Sequence, residues 1–230
     1  MKVQRLRIRY GVSADACHLG QRDLVEAWEH ACEQGNVPLA YSEGRRPSPH
    51  ISIAAPLPQG VTSTAELLDL YLTDLLSPDD ALSRLSEHLP CGIQPLTGHE
   101  VGLNAASLQS QVRVAEYAVT FPAVDTAAIL KAISASLDAR TIPFEYKRDT
   151  RVREYDLRPL ILDLRLTDSD GGPAVVMRLC AVPERSARAD QVTALLGLPD
   201  DAQIEHVALE IEEVSAVLLA YRRSGEPGAE

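Results

Sequence analysis

Arg5-Leu6-Arg7-Ile8-Arg9-Tyr10 alternates charged and apolar side chains with a period of two. Only a strand sends successive residues to opposite faces. The run therefore predicts a first strand with Leu6, Ile8 and Tyr10 on a core and a basic row, Arg5, Arg7 and Arg9, on the other side. A helical pattern follows at 22–34, with Leu24, Ala27, Trp28 and Ala31 as its inward stripe and Glu26, Glu29 and Glu33 outside. Gly35-Asn36 supplies the stop.

The rest of the first half continues in the same manner. A loop rich in Gly, Pro and Arg, Tyr41 to His50, leads into a short strand at 51–55 and a longer one at 66–73. Ser77-Pro78-Asp79-Asp80 then reads as a helix start: a hydroxyl cap, proline in the first turn, and carboxylates near the positive helix end. Leu82, Leu85 and Leu89 give that helix its buried face, and a strand at 91–101 closes the half. Residues 102–111, polar and small, read as a linker.

The second half repeats the order. A strand at 112–121 is followed by a helix at 124–139 and a basic irregular stretch at 140–159. Strands at 160–167 and 174–182 are joined by the turn residues Asp168-Ser169-Asp170-Gly171-Gly172. A helix at 186–196, capped by Ser186 and stopped by Gly197, precedes a last strand at 204–213. Each half reads β-α-β-β-α-β, the split βαβ arrangement. The expectation is an α+β protein of two tandem ferredoxin-like domains with antiparallel sheets, at 1–103 and 112–221, with a disordered tail at 222–230.

Composition narrows the function classes. The chain has 230 residues, 45% hydrophobic and 4% aromatic, and a net charge of −11. That size accommodates two small cores built from aliphatic side chains. The acidic balance argues against broad, non-specific nucleic-acid binding. The opening residues are too charged for a signal peptide, and no apolar run approaches a membrane span, so a cytoplasmic setting without a membrane partner is expected. Cys17, Cys32, Cys91 and Cys180 form no CxxC pair, and the histidines show no helical ligand spacing, so no native metal site is expected. Phosphate-binding, dinucleotide and serine-nucleophile motifs are missing from the sequence.

Positive charge concentrates in two stretches. The first is the loop Tyr41, Ser42, Glu43, Gly44, Arg45, Arg46, Pro47, Ser48, Pro49, His50, continuing to Ser52. Its prolines and glycine make a shaped loop, its arginines offer planar donors to phosphate or carboxylate, and Tyr41 offers a ring. A rigid connection carrying solvated arginines has the same composition. The second stretch holds Lys147, Arg148, Arg151, Arg153 and Arg158, interleaved with Asp149, Glu154 and Asp156. Neither face of a strand at 151–158 is apolar, which fits a binding strand or a charge-protected edge. The two stretches take equivalent places, after the first helix of each half. Halves related by a pseudo-twofold would bring both to one cleft.

The loop also carries a likeness. Val37-Pro38-Leu39-Ala40-Tyr41-Ser42-Glu43-Gly44, Pro47-x-Pro49-x-Ile51-Ser52 and Pro56-Leu57-Pro58-x-Gly60-Val61 resemble the radical-SAM-linked protein family, bacterial domains fused to or encoded beside a radical S-adenosylmethionine protein. Arg5 to Tyr10, Tyr155-Asp156-Leu157-Arg158-Pro159-Leu160-Ile161 and Val192 to Leu198 resemble further segments of it. Departures are Gln21 in Gly20-Gln21-Arg22-Asp23, where the family usually has histidine, and Ser48 and His50, where it often has histidine and lysine. The resemblance implies a radical-SAM partner that holds the iron–sulfur cluster and S-adenosylmethionine, with no cofactor in this chain. Its cysteines are too dispersed for a CxxxCxxC cluster motif.

Three functions follow as expectations. The first is an accessory protein that binds or docks substrate for the radical-SAM enzyme, in RNA or ribosome-related modification. The second is a stand-alone RNA-binding or RNA-processing protein. The third is an independent enzyme using Asp23, Glu43 or Asp156 as acid or base.

Overall fold

The computed structural model describes residues 1–122, 126–148, 151–169 and 172–212. It is a mixed α+β protein with mostly antiparallel strand pairing and, among the described residues, five α-helices. The chain divides into two compact units: residues 1–112 with the segment that begins at Ile211, and residues 113–210.

In the first unit, β1 (Gln4–Val12) is followed by α1 (Gln21–Gln34), β2 (Ile51–Ile53), β3 (Thr62–Leu72), α2 (Pro78–Ser86), β4 (Ile93–Glu100) and α3 (Leu108–Gln111). β1 lies between β4 and β3, and β2 pairs with β3, each pair antiparallel. The register sets Leu6 opposite Leu70 and Ile8 opposite Leu68. The period-two pattern thereby sends Leu6, Ile8, Tyr10 and Val12 to one face. There they pack with Leu68, Leu70 and Leu72 against Leu24, Trp28 and Ala31 of α1 and Ala81 and Leu85 of α2. Each fully buried leucine or isoleucine contributes about 1.5–3 kcal/mol. Trp28 meets Tyr10 edge-on, ring centroids 5.2 Å apart. α2 starts as its sequence predicts, with Ser77 Oγ accepting from the Asp80 amide at 3.1 Å.

Residues 102–111 are not a linker. The Val101 amide donates to the Arg5 carbonyl at 2.9 Å, α3 is capped by Ser107, and Gln109 Nε2 donates to the Ile53 carbonyl at 2.8 Å. The stretch belongs to the first unit, stitched to β1 and β2.

The second unit contains β5 (Val112–Thr120), α4 (Thr126–Asp138), β6 (Pro143–Arg148), β7 (Arg151–Asp156), β8 (Ile161–Ser169), β9 (Gly172–Val182), β10 (Arg185–Ser186), α5 (Ala189–Leu195) and β11 (Gln203–Ile211). β9 pairs antiparallel with β5, β8 and the short β10, and β11 lies beside β5. The pairing continues through Asp168 opposite Pro173 and Ser169 opposite Gly172, so Asp168, Ser169 and Gly172, expected in the turn, belong to the strands. Ala115, Val119, Ile129, Ile133, Leu164, Val175, Met177 and Leu179 are buried.

Three local readings change. The stretch 140–159 is not irregular: β6 and β7 form an antiparallel two-stranded sheet with Phe144 opposite Tyr155, rings 6.0 Å apart. Ser186 does not cap a helix; it pairs with Ala181 in β10, and α5 begins after Arg188. The last strand ends at Ile211, and the tail 222–230 lies outside the described residues.

Candidate functional site

The 41–52 segment is built on the edge of β3. Ala40 is buried, and its amide donates to the Tyr71 carbonyl at 2.7 Å; the Tyr71 amide returns a bond to the His50 carbonyl at 3.1 Å. Between these anchors the chain folds back on itself. The His50 amide donates to the Ala40 carbonyl at 2.8 Å, Tyr41 pairs with Pro49, and the Ser42 amide donates to the Ser48 carbonyl at 2.9 Å. Ser42 Oγ accepts from the Ser48 amide, also at 2.9 Å. The legs are thus fixed by backbone bonds on which Pro47 and Pro49 make no demand, since proline has no amide hydrogen. The tip turns at Gly44, whose φ of 131° suits glycine.

Glu43, Arg45, Arg46 and Pro47 are exposed at that tip. Ser52 continues from the second leg and donates to Gln109 Oε1 at 3.0 Å, so α3 braces the base of the loop. Tyr41 is 43% exposed. Partial burial, then the nearby Glu29 carboxylate, push its phenol up to about 12. It is a neutral hydrogen-bonding group at physiological pH.

Tyr71 is the cross-strand partner of Arg5, and Asp69 of Arg7, so the strand that anchors the loop carries a polar face. Arg5 and Arg7 are 1% exposed and close on one carboxylate, Asp69, itself fully buried. Arg5 Nε donates to Asp69 Oδ2 at 2.9 Å, and its terminal nitrogens reach the carbonyls of Ala105 and Ala106 at 3.0 and 2.9 Å. Arg7 Nε donates to Asp69 Oδ1 at 2.8 Å and its Nη1 to Gln111 Oε1 at 2.9 Å. The basic row expected on β1 is therefore not a surface feature. Arg5 and Arg7 instead hold the 105–111 segment down, and only Arg9 of the three is exposed. The sequence signal is Asp69, a carboxylate set between Leu68 and Leu70, on the face of β3 opposite to theirs.

Asp23 and Asp156 are also committed to backbone groups. Asp23 accepts from the Gly20 amide at 2.9 Å and caps α1. Asp156 Oδ1 accepts from the amides of Ile142 and Arg158 at 2.7 and 3.0 Å. Arg158 donates to the Leu137 carbonyl at 2.9 Å and the Ile161 carbonyl at 2.9 Å, while Leu157 is fully buried. Asp156-Leu157-Arg158-Pro159 thus clamps the foot of the β6–β7 hairpin to the end of α4. Higher up, Tyr155 Oη donates to Gln191 Oε1 of α5. Lys147 and Arg148 lie on β6 and Arg151 and Arg153 on β7, with Arg148 opposite Arg151. Their side chains, and all of Asp149, lie outside the described residues. The first basic stretch belongs to the first unit and the second to the second unit.

A family model, Uncharacterized protein conserved in bacteria (DUF2344), matches residues 5–190. The chain belongs to this family. The match runs from β1 into α5 and contains both the 41–52 loop and the 156–158 clamp. No curated protein matches the chain. Among solved structures it is similar, at 13% identity and a TM-score of 0.27, to an unknown protein from Galdieria sulphuraria, over 91% of this chain and 98% of that one.

Among the described residues, no group of three or more His, Cys, Asp and Glu is placed to hold a metal ion, and no helix is long and apolar enough to cross a membrane.

Proposed function

We propose that this family member is an accessory binding protein, presenting substrate to a partner radical-SAM enzyme in RNA or ribosome-related modification. The carrying observation is the 40–52 hairpin: legs locked by backbone hydrogen bonds, with Arg45 and Arg46 exposed at the tip. A loop held in one shape loses little entropy on binding, and planar guanidinium groups suit phosphate or carboxylate. The partner is inferred from the resemblance of Val37 to Gly44 and of Tyr155 to Ile161 to radical-SAM-linked proteins. The two-domain ferredoxin-like reading is part of the same proposal. The neighbour order β4, β1, β3, β2, all antiparallel, supports it for the first unit, and the neighbours β11, β5, β9, β8 support it for the second.

Binding of RNA without a partner is the second reading, favoured by the same arginines. The independent-enzyme reading has less support, because Asp23 and Asp156 are occupied with backbone amides. The test is co-purification of the full chain with the radical-SAM protein encoded beside it. A stable complex supports the reading. Failure to associate, with and without RNA, counts against it. RNA affinity that falls steeply with salt and disappears in the Arg45→Ala/Arg46→Ala variant would transfer the case to the second reading.

A further inference from the structure

Tyr71, on the outer face of β3, is the meeting point of three basic side chains. Lys2 Nζ stands 4.3 Å from the centre of its ring, and the Arg5 guanidinium carbon 5.3 Å from the same point. The His50 ring meets it edge-on at 6.1 Å. The tyrosine ring attracts the cations through its negative face, which helps hold Lys2 there, while Arg5 is also fixed by Asp69.

The charge around this point does not cancel. Asp69 is a single carboxylate serving two guanidinium groups, so that buried trio keeps one formal positive charge. Among the described residues no carboxylate forms an ion pair with Lys2, and no side chain hydrogen-bonds the His50 imidazole. Burial, and after it the charges of Lys2 and the terminal amine, hold the His50 pKa below its usual value. Lys2 is exposed and His50 half-buried, so solvent reaches both. Ring faces already attended by Lys2 and Arg5 are poor platforms for stacking a base.

The geometry points to an anion subsite at the root of the loop, where Lys2 and His50 take a phosphate group over the edge of Tyr71, with Arg5 adding charge from below. The subsite deepens the reading of the 40–52 loop as the binding element, but it does not require the radical-SAM partner. Two sources carry the same chemistry: a small phosphate compound, and the diester backbone of RNA.

The test is an NMR titration of the histidine rings with inorganic phosphate and, separately, with dimethyl phosphate, each against chloride at matched ionic strength. A saturable response of His50, with the exposed His88 unmoved and the affinity roughly tenfold weaker in Lys2→Ala, supports the subsite. A response to phosphate alone assigns it to small phosphate compounds; a response to both includes the diester. His50 indifferent to both, or Lys2→Ala binding like the parent, overturns it. Since no partner enters the titration, its failure is distinguishable from failure of the co-purification.

Discussion

Arg5 grips Asp69 side-on, its Nε and Nη2 donating to the same carboxylate oxygen at 2.9 and 2.5 Å. Arg7 spans both oxygens, its Nε donating to Oδ1 at 2.8 Å and its Nη2 to Oδ2 at 3.1 Å, so the carboxylate cannot be removed without stranding two buried guanidinium groups. Asp69→Asn is expected to destabilise the protein by about 3–5 kcal/mol, the range for breaking a buried ion pair from one side. Urea unfolding measures it; a loss below about 1 kcal/mol would show that the network is dispensable.

The Asp156–Arg158 clamp predicts a local effect. Arg158→Ala frees the carbonyls of Leu137 and Ile161 and is expected to cost about 1–3 kcal/mol. Hydrogen exchange should quicken at the amides of Ile142 and Leu157, which close the foot of the β6–β7 hairpin. Exchange in β1 and β3 should not change. Uniform quickening across both units would contradict a local clamp.

Tyr41 predicts a pH dependence. Its folded pKa, about 12, lies above the ordinary value of 10.0, so folding favours the neutral phenol. The associated stability is fully present below pH 10, and is lost as pH rises through about 12. Ultraviolet titration should show a tyrosine component in this window that is missing from Tyr41→Phe and shifted downward in Glu29→Gln. Ionisation of Tyr41 at its ordinary value would remove this account of the loop's first leg.

Two glycines separate backbone strain from crowding. Gly44 and Gly92 both have positive φ, 131° and 92°. A Cβ on Gly44 meets nothing within 4 Å, whereas on Gly92 it would come within 2.7 Å of the Ala16 nitrogen. Gly44→Ala should cost about 1–3 kcal/mol from conformation alone, and Gly92→Ala more, since the turn at Ala16 must also shift. Equal losses in thermal unfolding would mean that the contact with Ala16 does not matter.

How much was legible follows from the range of each interaction. Leu6, Ile8 and Tyr10 announce β1 because strand alternation is local, and Ser77 announces α2 because its partner amide is three residues away. The fate of Arg5 and Arg7 was hidden because Asp69 lies over sixty residues downstream, and Ala105, Ala106 and Gln111 about a hundred. The same long-range contacts turn the apparent linker into a bracing segment. The 41–52 loop was readable as shaped and basic from its prolines and arginines. Its anchoring on Tyr71, and the gathering of Lys2 and His50 there, depend on β3 passing beside it.

The tip of that loop, Arg45 and Arg46, is the proposed point of contact with the partner. Calorimetric titration of the full chain with the radical-SAM protein proposed as its partner, comparing the parent with Arg45→Ala/Arg46→Ala, measures its contribution. The expected result is binding by the parent and at least about tenfold weaker binding by the variant, with both unfolding at the same temperature. Equal affinity for the two proteins would place recognition elsewhere on the molecule.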